Sequence, residues 1–300
     1  MPFSPNITCC YLYPITKYGY PPPAQDTLKH IEEMKNLGFQ SIELEGIRET
    51  HLLQIYDQRF AIKEKLDQWQ LQVPYFCAVL PGLGSADAEV REKQLDLFRT
   101  GCEIAQIFGA KGILDNGPLP PYIFPEDIPV VRHYETDVLK LATLPENLDW
   151  KTYWKNLLLT FQKACDIAAE YHLTYQIHPA TGVLASTDDG FLLFASEVNR
   201  SNLRFNFDVA NLFVMQSNLD LSLQRLLPYI DYIHISDNGG QHTEHLAIGE
   251  GKIPFEQVFK RLRDYGFQGD FGIDIGGAES GVENLDEAYV NAARWLENFL

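Results

Sequence analysis

The sequence predicts an α/β chain folded as a single (β/α)8 TIM barrel over residues 1–300, with an extended loop after strand 4. Three observations predict it. The length of 300 residues suits one α/β barrel, which takes about 250 residues plus insertions. Strand-like and helix-like periods alternate from end to end. The polar residues of the strands gather toward their C-terminal ends, where parallel barrels carry their sites.

The strand-like segments begin at Ile7 (ITCCYLY), Phe39 (FQSIELEG), Leu71 (LQVPYFCAVL) and Ala110 (AKGILDNG). Four more begin at Leu173 (LTYQIHP), Leu203 (LRFNFDVA), Ile230 (IDYIHISD) and Phe271 (FGIDIGG). Between them, Leu28, Ile31, Met34 and Leu37 recur at helical spacing until Gly38 ends the pattern, as a C-terminal glycine does. Similar helical patterns cover 86–108, 150–171, 255–265 and 285–300. Repeated βα units argue for a closed parallel barrel; a doubly wound open sheet is the alternative, since periodicity does not show closure. The longest irregular stretch, 117–149, contains PLPPYIFPEDIPV and is expected to wall or cover a crevice, the usual role of so long a loop.

Composition narrows the function. Hydrophobic residues make up 45% of the chain, enough for a large core. No apolar run approaches the roughly 20 residues that cross a bilayer. The start, MPFSPNITCCYLY, lacks a basic segment followed by a long apolar one, so a cytoplasmic protein is expected. Five cysteines without CxxC spacing predict reduced, packed thiols. Cys9 and Cys10 adjoin, and neighbours in a strand point to opposite faces. With 24 Lys+Arg against 41 Asp+Glu and a formal charge of −17, the chain offers no basic face for nucleic acid or for an anionic membrane surface.

Strand parity gives the site. If Ile42/Leu44, Tyr175/Ile177, Phe205/Phe207, Ile233/Ile235 and Ile273/Ile275 face the helices, the interior receives another set. That set is Glu43, Glu45, Gln176, His178, Asn206, Asp208, His234, Ser236 and Asp274. Carboxylates are costly to bury alone, so their convergence implies a bound cation or polar ligand. Asp208, His234 and Asp274, with Gln176 as a carbonyl donor, suit a divalent metal such as Mn, Mg, Co or Zn.

Several motifs then carry a resemblance. IELEG is similar to a second-strand carboxylate motif, and YQIHP falls where E-x-H-P is common. FDVAN stands at D-x-x-H, and YIHISD at H-x-x-D. HLAIGEGKIPFEQVFKRLRDYGFQGDFGIDI resembles the closing signature H-x-x-x-G-x-G, a helix, G-[YF]-x-G and a strand ending in Glu. Over most of its length the chain resembles the xylose-isomerase-like barrel superfamily of sugar isomerases, hexulose epimerases, inosose dehydratases and the AP-endonuclease branch.

Carried over by position, the resemblance implies metal ligands Gln176, Asp208, His234 and Asp274. The departures are Gln176 for Glu, Asn211 for His, and Asp274 for Glu. An amide is no base, so Asp274 is expected as ligand and base, with Glu45, His178 and His245 as further catalytic groups. Glu43, Asn211 and Asp237 are expected on the substrate side, Asp237 also being placed to orient His234. Asp115 and Asn116 are weaker candidates, with a turn role for DNG. The glycines of SDNGG and DIGGAESG are either plain turns or a phosphate cradle. Tyr11, Tyr13, Phe76, Phe213, Tyr122 and Phe124 are candidates to stack on a sugar ring.

The expected function is divalent-metal-dependent sugar or polyol isomerisation or epimerisation, by proton transfer beside a metal-bound carbonyl. The alternatives are a sugar- or polyol-binding protein on the same barrel and a cyclic-polyol dehydratase; an AP endonuclease is disfavoured by charge. The expected partner is a small sugar or polyol, phosphorylated or not. Relatives often assemble as dimers or tetramers, so the resemblance is compatible with a homo-oligomer.

Overall fold

The computed structural model describes residues 2–128 and 134–300. Pro129 and Val130 of the long loop lie outside the described residues. The strands are β1 (Ile7–Cys9), β2 (Ser41–Ile42), β3 (Leu44–Ile47), β4 (Tyr75–Val79) and β5 (Gly112–Asn116). They continue with β6 (Thr174–His178), β7 (Leu203–Phe205), β8 (Phe207–Asp208), β9 (Tyr232–Ile235) and β10 (Asp270–Ile273). All pair in parallel, in two runs ordered β2-β1-β10-β9-β8 and β3-β4-β5-β6-β7.

Two of the strands explain how these runs join. β2 and β3 are one strand interrupted at Glu43, and β7 and β8 are one strand interrupted at Asn206. At the second break the Asp208 amide donates to the Asn206 carbonyl, 3.0 Å away, which bends the chain. Each interrupted strand leaves one run and enters the other, so the ring of eight staves closes. The closed barrel holds and the open sheet does not.

The helices form the outer ring: α1 (Leu12–Tyr18), α2 (Thr27–Asn36), α3 (Arg48–Trp69), α4 (Ala88–Phe108), α5 (Thr136–Leu139) and α6 (Trp150–Glu170). After them come α7 (Asp188–Val198), α8 (Val209–Val214), α9 (Leu219–Leu226), α10 (Phe255–Asp264) and α11 (Leu285–Glu297). Their ends follow local chemistry. The Asp87 carboxylate accepts the Glu89 amide at the start of α4, and Gly109 ends that helix at φ +80°. Asp149 accepts from the Thr152 amide at the start of α6. The first strand is shorter than ITCCYLY suggests, because Tyr11 already has helical dihedrals and leads into α1. Within the long loop, Ile123 bridges Thr143 and α5 supplies one helical turn.

Large rings fill the barrel floor. Tyr75 and Tyr232 stack with centroids 4.1 Å apart. Gly272 is needed beside them, since a Cβ there would lie 2.4 Å from the Tyr232 hydroxyl and 2.6 Å from the Cys10 sulfur. Among the described residues no helix is long and apolar enough to cross a membrane.

Candidate active site

Four adjacent staves lift their side chains to one level at the C-terminal end of the barrel. His178 closes β6, Asp208 closes β8, His234 sits in β9 directly opposite Asp208, and Asp274 follows β10. The backbone amide of Asp274 donates to the Ile235 carbonyl at 3.0 Å, which fixes its height. One donor atom from each of these four residues lies within 4.8 Å of the others. Their side chains are at most 2% exposed.

Asp208 is pinned from several sides. Its Oδ1 accepts the Asn211 backbone amide at 2.7 Å and so caps α8. Its Oδ2 accepts the Asn211 side-chain amide at 2.9 Å. Since a carboxylate only accepts, His178 Nε2 donates to that same oxygen at 2.9 Å. His234 Nε2 likewise donates to Glu43 Oε2 at 3.2 Å. Each imidazole therefore turns one nitrogen to a carboxylate. The other, Nδ1, is buried and has no hydrogen-bond partner.

Electrostatics follow the same arrangement. Burial works against charge on His234, but the carboxylates of Glu43, Asp274 and Asp208 outweigh it and hold the imidazole up at about 9. Burial would raise Asp208, yet the imidazoles of His178, His234 and His245 keep it below the ordinary range. For His178 burial dominates, and its affinity for a proton falls. Buried carboxylates that stabilise a proton on an imidazole also stabilise a cation in its place. Two imidazoles and two carboxylates form a donor set that a divalent first-row ion accepts. The buried Nδ1 of His234, without a hydrogen-bond partner and 3.9 Å from Asp274 Oδ2, fits the same reading.

Gln176 does not join this group. Its amide nitrogen donates to Thr174 Oγ1 at 3.1 Å and toward Asp231 Oδ2 at 3.4 Å. Thr174 opens β6 and Asp231 precedes β9, so the amide is tied at the N-terminal end of the barrel. His178, two residues on and on the same face, stands about 6.6 Å higher along the strand and occupies the place expected of Gln176.

Asp237 also differs from its expected role. Its Oδ1 accepts the Asn238 and Ile253 amides at 2.9 and 3.1 Å, and its Oδ2 accepts the Gly249 amide at 3.0 Å. It folds the loop 237–253 instead of orienting His234, whose Nε2 is taken by Glu43. This explains the second glycine of GEG: a Cβ on Gly251 would lie 2.2 Å from Asp237 Oδ1.

The remaining candidates border the cluster. His245 Nε2 lies 3.7 Å from Asp274 Oδ2, and its Nδ1 meets Glu279 Oε1 at 3.1 Å. Glu43 and Glu45 line a narrow polar cleft with Tyr20, Cys77, His178 and His234. Tyr20, Val79 and Asn116 also line a cavity of about 290 Å³, walled by Tyr122, Phe124 and Tyr134 of the long loop. Asp115 accepts the Leu80 and Asn116 amides and is buried. Tyr11, Tyr13 and Phe76 are core residues, and Phe213 lines a separate depression with Ser217 and Pro254. The glycine loops are turns: the Gly239, Gly240 and Gly277 amides bond to Glu244, Asn238 and Thr16. Sequence reasoning missed Tyr20 and Glu279, whose places depend on loop paths that no period encodes.

A family model described as xylose isomerase-like TIM barrel matches residues 31–299. L-ribulose-5-phosphate 3-epimerase of Salmonella heidelberg is 24% identical over 283 residues, covering 92% of this chain and 90% of that one. An uncharacterized protein of Methanocaldococcus jannaschii is 29% identical over 134 residues, covering 42% of this chain and 46% of that one. Among solved structures, 3-keto-D-glucoside 4-epimerase of E. coli superposes with a TM-score of 0.74 at 17% identity, covering 98% and 100% of the two chains. D-allulose 3-epimerase of Methylomonas in complex with D-allulose gives 0.74 at 15% identity, covering 100% and 99%. With a family model spanning nearly its whole length, the chain belongs to the xylose isomerase-like TIM barrel family.

Proposed function

We propose that the protein is a divalent-metal-dependent sugar or polyol epimerase or isomerase that moves a proton on the carbon beside a carbonyl. The observation that carries this is the convergence of His178, Asp208, His234 and Asp274 at the mouth of the barrel. Glu43 and Glu45 line the cleft beside His178 and His234. The similarity to L-ribulose-5-phosphate 3-epimerase supports the same reading.

His178, Asp208, His234 and Asp274 would hold the ion, which when bound supplies Lewis acidity to the carbonyl oxygen and its neighbour. The chain's own groups do the rest. Glu43 orients His234, and Asn211 orients Asp208. Asp274 takes the proton from carbon. Glu45, from a strand two places round the barrel, returns one from a different wall and so inverts that carbon. The long-loop aromatics Tyr122, Phe124 and Tyr134 exclude water from the rest of the substrate, which strengthens electrostatics at the four-residue cluster.

The test is deuterium wash-in from heavy water, followed by NMR, with free and phosphorylated ketoses and Mn, Mg, Co or Zn supplied separately. Exchange at the carbon next to the carbonyl, lost in Asp274→Asn, is the expected result. Sugar binding without exchange under every ion would replace the enzyme with a binding protein, and loss of water from a polyol would make it a dehydratase.

A further inference from the structure

The two nitrogens of His234 face different neighbourhoods. Nδ1 lies 3.9 Å from Asp274 Oδ2 in the four-residue cluster. Nε2 lies 3.2 Å from Glu43 Oε2 and 3.6 Å from Cys10 Sγ. Donor atoms of Cys10, Glu43 and His234 all fall within 4.8 Å of one another, and all three residues are buried. A tetrahedral zinc ion holds sulfur at about 2.3 Å and nitrogen or oxygen at about 2.0 Å, which sets its ligands about 3.3–3.6 Å apart. The 3.2 and 3.6 Å spacings around Nε2 come within about 0.1 Å of those edges. The Tyr232 hydroxyl, 3.4 Å from the Cys10 sulfur, borders the fourth corner.

We propose that Cys10, Glu43 and His234 form a second metal site, selective for thiophilic divalent ions such as Zn²⁺ and Cd²⁺. A set with one thiolate favours these ions over Mg²⁺ or Mn²⁺. Entry is through the polar cleft, where Glu43 and His234 are lining residues. Loading releases the Cys10 thiol proton and the Nε2 proton of His234 to solvent and leaves the ring protonated at Nδ1. A ring that keeps its proton on Nδ1 has no lone pair to offer the four-residue cluster, so the two sites exclude each other. A thiophilic ion at the second site therefore displaces the ion held with His178, Asp208 and Asp274.

The site stands on its own geometry, and only the displacement rests on the proposed function. The full chain, stripped of metal, is titrated with Co²⁺ and Cd²⁺ while thiolate-to-metal charge-transfer absorption is recorded. One saturating thiolate band is expected in the wild type, kept in Cys9→Ser and lost in both Cys10→Ala and Cys10→Ser. In a second arm, Cd²⁺ is added to Mn²⁺-loaded protein and free Mn²⁺ is read by electron paramagnetic resonance. Release from the wild type, with at least about tenfold more Cd²⁺ needed in Cys10→Ala, is the expected shift. Absence of a thiolate band in folded wild type overturns the site, whatever the variants do, as does a band surviving in a folded Cys10 variant. A band with no Mn²⁺ release keeps the site and overturns the exclusion. None of these readouts requires turnover, so failure here is distinct from failure of the proton-exchange test.

Discussion

His234 Nε2 lies 3.2 Å from Glu43 Oε2, which joins the ninth strand to the break between the second and third. The carboxylate holds the Nε2 proton, so that Nδ1, facing Asp274, is the nitrogen that gives up its proton to a cation. A carboxylate behind a metal-binding histidine is worth about 10–100-fold in metal affinity. Glu43→Gln is therefore expected to weaken binding of Mn²⁺ or Co²⁺ within that range, measured by calorimetric titration. Unchanged affinity would remove Glu43 from the positioning role.

Asp208 combines two functions that substitution separates. In Asp208→Asn one oxygen still accepts the Asn211 amide and the cap of α8 survives, while the charge facing His178 is gone. In Asp208→Ala both are lost, and the missing cap costs about 1 kcal/mol. Metal binding should fail in both variants, whereas thermal unfolding without metal should show Asn clearly more stable than Ala. Equal melting temperatures would contradict the capping role.

The behaviour of Gln176 shows what the sequence encodes and what it leaves out. Period-two alternation places Glu43, Glu45, Gln176, His178, Asp208, His234 and Asp274 on one side of their strands, and the barrel has them inside. Parity carries no information about height, so Gln176 and His178 are indistinguishable by it. Only the register with neighbouring strands separates the floor, where Gln176 meets Thr174 and Asp231, from the mouth, where His178 meets Asp208. Closure was hidden for a similar reason, since it depends on breaks at Glu43 and Asn206 inside strands that read as continuous. α3 was illegible because its polar and apolar residues, as in RETHLLQIYDQRF, form no clean stripe. Asp237 looked like a partner of His234 because three residues separate them, but backbone amides of Gly249 and Ile253 claim it instead.

From sequence alone, Gln176→Glu restores the common carboxylate and tightens metal binding. The structure predicts otherwise. The new carboxylate would replace an amide donor to Asp231 and face that acid; losing a part-buried bond of this kind costs about 0.5–1.5 kcal/mol. Reduced denaturant stability with unchanged metal affinity is the expected pair of results. A gain in metal affinity would return Gln176 to the ligand set.

His51 gives a pH dependence separate from the chemistry of the four-residue cluster. Its Nδ1 accepts the Ile47 amide at 3.0 Å at the start of α3, and the side chain is buried. Burial is the main cause that lowers its affinity for protons, to about 4 from an ordinary value of 6.5. Between those values the unfolded chain binds the proton and the folded chain does not. Stability therefore rises with pH in this window and is lost as pH falls from 6.5 toward 4, levelling off below. The group accounts for about 3 kcal/mol over the window, at 1.36 kcal/mol per unit. Asn at this position accepts the same amide without titrating, so His51→Asn should flatten the acid limb of stability by that amount. Urea unfolding at a series of pH values measures it, and parallel curves for the two proteins would show that His51 protonates as readily in the folded state as in the unfolded one.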